Sequence, residues 1–162
     1  MMFNQPPDTY LGQINVAVAR YDMDAPEMAD FMARLESVNA VAEASPGFVW
    51  RLKDDTGAGA TGVKLTDDPR LIVNMSLWRD AASLEAFVWK TVHAKVYNRK
   101  AEWFPHDPEP TLAFWWQPVS EPPDPHAAYS RLLDLRAHGP SETAFGWRDL
   151  AGATLWQDRR CA

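Results

Sequence analysis

The sequence lacks the features that mark several large protein classes. It has one cysteine, Cys161, in 162 residues, so neither a disulfide within the chain nor a thiolate metal cage can form. No run approaches the ~20 apolar residues that a membrane-spanning helix needs. The N-terminus has no basic start followed by an apolar stretch, as a secretory signal would have. We therefore expect a cytoplasmic protein without a membrane partner.

Basic residues are also scarce. Sixteen Lys and Arg stand against 22 Asp and Glu, which gives a formal net charge of −6, and no basic tract occurs. An acidic chain without a positive patch binds nucleic acid and anionic lipid poorly, so neither is expected as a partner. The hydrophobic fraction of 46% and the charged fraction of 23% are typical of an ordinary globular domain.

Hydrophobic periodicity predicts strands alternating with helices. Apolar residues at every second position predict strands, and apolar residues spaced by three and four predict helices. In chain order the predicted elements are a strand at 10–19, a helix between Asp24 and Ser45, strands at 48–53 and 71–78, a helix from Asp80 to Phe104, a strand at 111–117 and a last helix between Asp124 and Gly139.

This order predicts an α+β, ferredoxin-like β-α-β-β-α-β fold with a four-stranded antiparallel sheet. Residues 1–118 would form that domain, and residues 119–162 a C-terminal helix and strap packed on it. The first two helices are expected to cover one sheet face, which carries Ile14, Val16, Val18, Val73, Met75 and Leu77.

The opposite face presents a physical problem. It would carry Gln13, Asn15, Asn74, Ser76 and Trp78. Such a surface is too polar for a dry core and too aromatic to leave in water. Stacking two of these faces in a homodimer would close an α/β barrel around them, and this is the assembly we predict.

Two familiar kinds of motif are incomplete. The glycines at 57–62 match the dinucleotide pattern G-x-G-x-x-G, but no helix start follows, and pyrophosphate binding needs one. We interpret this segment as a hairpin loop. No two histidines are spaced by three or four residues, so no helical metal site is predicted. No nucleophile elbow supports hydrolase chemistry.

His93 is the first candidate for chemistry. It lies in the second predicted helix, with Trp89 and Tyr97 four residues to either side. A histidine there could move a proton or bind haem iron as an axial ligand. The alternative is an amphipathic packing residue beneath the C-terminal strap. In a continuous helix His93 points away from the sheet, so a functional role requires a break near Thr91.

Asn15 and Asn74 form a second candidate site, because the topology makes their strands neighbours. With Ser76 they could hold a substrate oxygen or a water, or they could form a hydrogen-bonded patch in a dimer interface. Arg51 could meet a carboxylate or stack on an aromatic ligand, or form a surface salt bridge. Tryptophans suggest walls for a flat ligand, with core packing as the alternative for each: Trp50, Trp78, Trp103, Trp115 and Trp116.

Several segments together resemble a known family. They are QIN at 13–15, SPGFVWRL at 45–52, VNMSLW at 73–78, His93, EWF at 102–104 and WW at 115–116. In this order they are similar to domain-of-unknown-function family 3291, a bacterial family of the dimeric α/β-barrel superfamily. The resemblance covers roughly residues 10–148. It implies the ferredoxin-like dimeric barrel.

The wider superfamily implies several activities. It includes cofactor-free quinol-type monooxygenases, haem-degrading monooxygenases, chlorite dismutases and aldoxime dehydratases. In the haem-degrading branch an Asn on the first strand, a Trp on the second helix and a His farther along that helix are functional. Asn15 and His93 occupy comparable places here, and the place of the Trp corresponds to Phe87 or Trp89.

We therefore predict a homodimer that binds a small, flat, apolar or phenolic molecule. As an enzyme it would be monooxygenase-like or isomerase-like, without flavin or nicotinamide. Asn15 and Asn74 would position an oxygen and His93 would move a proton. The substrate-binding residues would be Trp50, Arg51, Asn74, Ser76, Trp78, Trp103 and Trp115. The alternatives are haem binding through His93 and a non-catalytic ligand-binding or structural dimer.

Overall fold

The structure is a computed structural model that describes residues 1–54 and 64–156. The glycine motif at 57–62 and Cys161 lie outside the described residues. In chain order the elements are β1 Thr9–Val18, a 3-10 turn Pro26–Met28, α1 Ala29–Ala44, β2 Phe48–Arg51, β3 Leu71–Trp78, α2 Ala81–Lys90, α3 Val92–Asn98, α4 Lys100–Trp103, β4 Leu112–Pro118, α5 Pro125–His138 and a 3-10 turn Trp147–Asp149.

The strands form one antiparallel sheet in the order β2-β3-β1-β4. β1 is central, with Asn15 opposite Asn74 on β3 and Gly12 opposite Trp115 on β4. In each β-α-β unit the two strands are separated by one strand of the other unit: β3 lies between β1 and β2, and β1 lies between β3 and β4. The predicted α+β, ferredoxin-like fold is therefore confirmed.

The two faces of the sheet are covered by different helices, and the predicted assignment is reversed. Leu11 and Trp78 lie on one face and pack against residues of α1 and α2: Ala42, Leu84, Phe87 and Val88. The face of Ile14 and Met75 packs instead against α5, through Ala128, Leu132 and Leu135. The prediction that α1 and α2 cover the Ile14 face is wrong, because the additional helix α5 supplies the apolar stripe that buries it.

This reversal changes the predicted dimer interface. Three side chains of the mixed face lie beneath α1 and α2, where Gln13 is 5%, Ser76 7% and Trp78 0% exposed, whereas Asn74 on the same face is exposed. A second copy stacked on this side would therefore meet α1 and α2 rather than these three side chains. Both faces of the sheet are thus covered within one chain.

The second predicted helix is divided into α2, α3 and α4. Thr91 makes the first division: its hydroxyl donates to the carbonyl of Phe87 at 2.5 Å and accepts the backbone N–H of His93 at 3.3 Å. One side chain thus ends α2 and caps α3. No helix in the described part of the chain is both long and apolar enough to cross a membrane.

The segment after α5 runs along the outer edge of β4. Phe145 exchanges two backbone hydrogen bonds with Phe114, at 2.7 and 3.0 Å, and so covers a sheet edge that would otherwise be open. Farther along, the buried carboxylate of Glu85 on α2 accepts the backbone N–H groups of Thr154 and Trp156. The predicted strap is present through residue 156.

Gly12 tests the packing of the α5-covered face. A Cβ at this position would overlap ring carbons of the Trp115 indole. We predict that Gly12→Ala lowers the free energy of unfolding by about 1–3 kcal/mol, the usual cost of overpacking a filled core. Denaturant titration measures the change. Gly146→Ala is the matched control, since its Cβ would be 3.9 Å from the nearest atom. Equal stability of Gly12→Ala and the unaltered protein would contradict this packing.

Candidate functional site

A row of uncharged polar side chains crosses the sheet beneath α1 and α2. It consists of Gln13 and Asn15 on β1 and of Ser76 and Asn74 directly opposite them on β3. We call these four residues the polar band. Side chains at every second position share a face, so all four lie on the side of Leu11 and Trp78. On β1 and β3 the band separates two apolar parts of this face.

Apolar clusters lie on either side of the polar band. Beyond Gln13 and Ser76 is the cluster that includes Leu11 and Trp78. Beyond Asn15 and Asn74 is a smaller cluster, with Ala19, Met28 and Trp103 at its centre and Phe31, Ile72, Val96 and Phe104 around them. The helix-covered side of the sheet therefore has two apolar regions with a polar strip between them.

Hydrogen bonds hold the band in one arrangement. Nε2 of Gln13 donates to Oδ1 of Asn74 at 2.6 Å and to Oγ of Ser76 at 2.8 Å. Nε1 of Trp78 donates to the same Ser76 oxygen at 2.9 Å. Gln13 thus joins the two central strands through their side chains. It was placed on this face by the alternation but was not predicted as a site residue.

Solvent reaches the band at Asn74. This residue is exposed and Asn15 is half-buried, whereas Val73 and Met75 on the other face are 3% and 1% exposed. Asn74 lies in the middle of β3, on the side that the helices cover. Its exposure therefore means that the helices leave an opening above it, and the hydrogen-bonded network leads inward from that opening.

Arg51 adds a compensated charge beside the band. It is paired with Ser76 across β2 and β3 and is 8% exposed. Its Nε donates to a carboxylate oxygen of Glu43 on α1 at 2.7 Å, and Nζ of Lys53 lies 3.3 Å from that oxygen. The hydrogen bond from Arg51 holds the pKa of the Glu43 carboxyl below its usual value. The guanidinium charge is thus balanced by a partner on α1.

His93 is held as a neutral imidazole. Its Nδ1 is 3.2 Å from the carbonyl oxygen of Val88. A carbonyl can only accept, so we assign the ring proton to Nδ1. Burial lowers the pKa of His93 and outweighs the opposite effect of the Val88 hydrogen bond. At neutral pH the ring is therefore uncharged, and the lone pair of Nε2 can accept a proton or bind a metal.

The structure does not bring His93 into contact with the polar band. Phe87 stacks on Trp78 with ring centroids 5.2 Å apart, and the ring of His93 packs on Phe87 at 5.0 Å. His93 is thus separated from Ser76 by two aromatic rings. The break near Thr91 that a functional role of His93 requires is present. The ring of His93 packs between Phe87 and Tyr97, and no described contact joins it to Asn15.

The predicted tryptophan walls are distributed over different parts of the molecule. Trp78 borders the polar band and donates a hydrogen bond to Ser76. Trp50 and Trp115 lie on the opposite face, in the cluster that α5 covers. Trp103 is 2% exposed and lies in the smaller apolar cluster. Of the predicted site residues, the structure therefore groups Asn15, Arg51, Asn74, Ser76 and Trp78.

Two surface cavities lie away from the band. A groove of about 510 Å³ follows the β2 edge, along residues 48–53 and Glu43. A cavity of about 250 Å³ lies at the end of the sheet, between Val16, Leu71 and Tyr129. Neither is lined by His93 or by the band. Within residues 1–54 and 64–156, no group of three or more His, Cys, Asp or Glu could hold a metal ion.

Three comparisons with known proteins give one matching family model, two similar solved structures and no curated relative. The sequence profile of a domain of unknown function, DUF3291, matches residues 10–161. The crystal structure of PA3566 from Pseudomonas aeruginosa is 21% identical, with 67% of this chain and 91% of that chain covered and a TM-score of 0.43. The crystal structure of NE2512, a protein of unknown function from Nitrosomonas europaea, is 17% identical, with 74% and 99% covered and a TM-score of 0.47. No curated protein matches the sequence.

The lowered pKa of His93 predicts a pH dependence of stability. Unfolding ends the burial, so the pKa returns toward 6.5 and lies above the folded value. As the pH falls below about 6.5, the unfolded chain takes up this proton first, and the free energy of unfolding decreases until the folded pKa is passed. Above about pH 7.5 both states are neutral and the effect vanishes.

Denaturant titrations at pH 7.5 and pH 5.5 measure this effect. We expect His93→Phe, which retains a ring between Phe87 and Tyr97, to lose less stability between these pH values than the unaltered protein. His126→Gln, at an exposed position on α5, serves as the control and should keep the original difference. An identical loss in His93→Phe and the unaltered protein would show that His93 is not the group responsible.

Proposed function

This chain belongs to the DUF3291 family, a domain of unknown function, and we propose that it is a small-molecule-binding protein whose site is the polar band. The ligand is small and flat, with an apolar or phenolic body and an oxygen held at Asn74 and Ser76. The exposure of Asn74 above the buried bonds of Gln13 carries the proposal. A ligand that enters through this opening meets polar groups directly.

The energetics of the band support a ligand role. A hydrogen bond between neutral side chains contributes only about 1 kcal/mol to stability, because the same groups bond to water in the unfolded chain. An apolar strip of the same shape would stabilise the sheet at least as well, and a buried polar network is costly wherever it is incompletely satisfied. Stability alone therefore does not account for amides that interrupt a core and reach an opening.

The surroundings of the band suit a flat ligand. The indole of Trp78 borders Ser76 and stacks on Phe87. Met28 and Ile72 belong to the apolar cluster at the other end. A planar body packed toward either cluster would keep its polar oxygen at the band. Aromatic and aliphatic walls with a few placed polar groups are the usual composition of small-molecule sites.

The enzymatic form of this proposal needs a proton acceptor. Monooxygenase-like or isomerase-like chemistry without flavin or nicotinamide would assign that role to His93, whose Nε2 is unprotonated. Phe87 lies between this ring and Trp78. A substrate would have to reach past Phe87 to contact both His93 and Asn15. Ligand binding at the band is therefore the part of the proposal that the geometry supports best.

The homodimer stays a prediction, and we propose a different surface for it. Helices of the same chain cover both sheet faces, and Phe145 covers the outer edge of β4. Among the described residues, the outer edge of β2 has no strand beside it. Val49 on this strand is 36% exposed. A second copy would extend the sheet here rather than stack on its face.

Titration with 2-naphthol, a flat phenol, tests the binding site. In ¹⁵N-labelled protein we expect the indole N–H of Trp78 and the side-chain amides of Gln13 and Asn74 to shift. Asn74→Leu should weaken binding about tenfold, because one hydrogen-bonding group is lost from the site. Asn98→Leu, an exposed change at the end of α3, should leave the affinity unchanged. Shifts confined to residues outside the band would contradict the proposal.

Haem binding through His93 is a second candidate, favoured by the bond between Nδ1 and the Val88 carbonyl. Haem-ligating histidines donate their other ring N–H to such a group, which directs Nε2 at the metal. The donor chemistry of His93 therefore fits an axial ligand. Bound haem would supply oxygen and electron-transfer chemistry, and His93 would hold the iron.

Haemin titration separates this candidate from the first. Coordination by His93 should shift and sharpen the Soret band of haemin in the unaltered protein. His93→Ala should abolish that change, whereas His126→Ala, at an exposed position, should keep it. An unaltered Soret band in the presence of the native protein would eliminate haem binding and leave the first candidate intact.

A further inference from the structure

The hydroxyl of Ser76 has only one hydrogen-bonding capacity left. Its oxygen accepts from Nε2 of Gln13 at 2.8 Å and from Nε1 of Trp78 at 2.9 Å. A hydroxyl has two acceptor sites and one hydrogen, so both acceptor sites are used. None of the described residues accepts the remaining hydrogen. Ser76 is therefore a hydrogen-bond donor toward whatever occupies the space beside it.

Asn74 is a donor for the same reason. Its Oδ1 accepts the second hydrogen of the Gln13 amide, so its Nδ2 hydrogens are directed away from that bond. Among the residues that the structure describes, no partner accepts them. Asn74 and Ser76 are two positions apart on β3, on the same face. The band thus presents two neighbouring donors, one buried and one exposed.

The orientation of the Gln13 amide determines whether Ser76 and Asn74 act as hydrogen-bond donors toward a ligand. With Nε2 toward Asn74 and Ser76, both amide hydrogens are bonded and only the carbonyl oxygen lacks a protein donor. With the amide turned by 180°, the oxygen would accept from both neighbours and both hydrogens would be left without partners. Buried N–H groups without a partner are rarer and more costly than under-used carbonyls, which favours the first orientation.

The band is also uncharged. Its four residues are two asparagines, a glutamine and a serine, and the nearest cation, Arg51, is bonded to Glu43. A carboxylate or phosphate would enter without a cation to compensate its lost hydration, which is unfavourable in a partly buried site. Two neutral donors match instead the lone pairs of an uncharged carbonyl oxygen.

We propose that the polar band recognises an uncharged carbonyl group, as in a flat ketone, quinone or amide, through the Ser76 hydroxyl and Nδ2 of Asn74. Gln13 is the positioning residue that turns both donors toward the ligand. This inference rests on the proposed function, because it names the class of ligand that the same site takes. It also distinguishes the site from one that selects anions by charge.

Three probes of one shape test the inference by titration in ¹⁵N-labelled protein. 2-Acetylnaphthalene carries the carbonyl, 2-isopropenylnaphthalene replaces it with a hydrocarbon of the same shape, and 2-naphthoate replaces it with an anion. We expect the ketone to bind about tenfold more tightly than the hydrocarbon, and the carboxylate to bind more weakly than the ketone. The indole N–H of Trp78, bonded to Ser76, reports binding at the band.

Two variants test the donors without removing volume. Gln13→Glu places acceptors against Ser76 and Asn74, consumes both donors and should abolish the preference for the ketone over the hydrocarbon. Asn74→Asp keeps the acceptor for Gln13 and removes the outward N–H groups at an exposed position. It should reduce the preference. Asn98→Asp is the control for added charge, and thermal unfolding verifies that each variant is folded.

The outcomes separate the two proposals. If neither 2-naphthol nor any of the three probes shifts the band in the unaltered protein, the proposed function fails and this inference fails with it. If 2-naphthol alone shifts the band, only this inference fails. If the hydrocarbon binds as tightly as the ketone, or the carboxylate binds most tightly, the site is a binding site and the carbonyl assignment is wrong. A ketone preference that survives both Gln13→Glu and Asn74→Asp also overturns the assignment.

Discussion

The burial of the Ile14 face by α5 is the constraint on which the rest of this structure depends. Ala128, Leu132 and Leu135 cover that face within the chain. Helices α1 and α2 must then lie on the other face, over Gln13 and its neighbours. Gln13 and Ser76, which could have met a second copy, are thereby enclosed within one chain. The candidate site is a consequence of where the additional helix packs.

Periodicity predicted the elements well because it reports local geometry. The alternation in β1 and β3 correctly placed Asn15, Asn74 and Ser76 on one face, since neighbouring strands with period two keep that relation. It contains no information on which helix covers which face. The sequence also did not predict the helix break at Thr91, because the apolar spacing of a helix continues through this position. The break depends on the hydrogen bond from the Thr91 hydroxyl to the carbonyl of Phe87, which the spacing does not report.

The site was predicted only in part, because periodicity shows which side chains share a face but not which of them form hydrogen bonds. Gln13 was not predicted as a site residue because its role depends on its hydrogen-bond partners. Those partners lie 61 and 63 residues away in the sequence. The directions of Trp50 and Arg51 could not be read from the sequence. A register irregularity between Phe48 and Trp50 sends Phe48 and Arg51 toward α1 and α2 and sends Trp50 to the opposite face.

The charged groups nearest the polar band are paired with other charged groups, so the band itself is neutral. Arg99 joins Asp30 on α1 at 2.6 Å and Glu102 on α4 at 2.6 Å, so ion pairs at the surface tie the helices that enclose the band. Arg51 is likewise bonded to a carboxylate of α1. Arg99 and Arg51 are thus both engaged by carboxylates of α1, and the four residues of the polar band are uncharged. At the proposed binding site, selection among ligands would then depend on the direction of hydrogen bonds, which the amide of Gln13 sets through its bonds to Asn74 and Ser76.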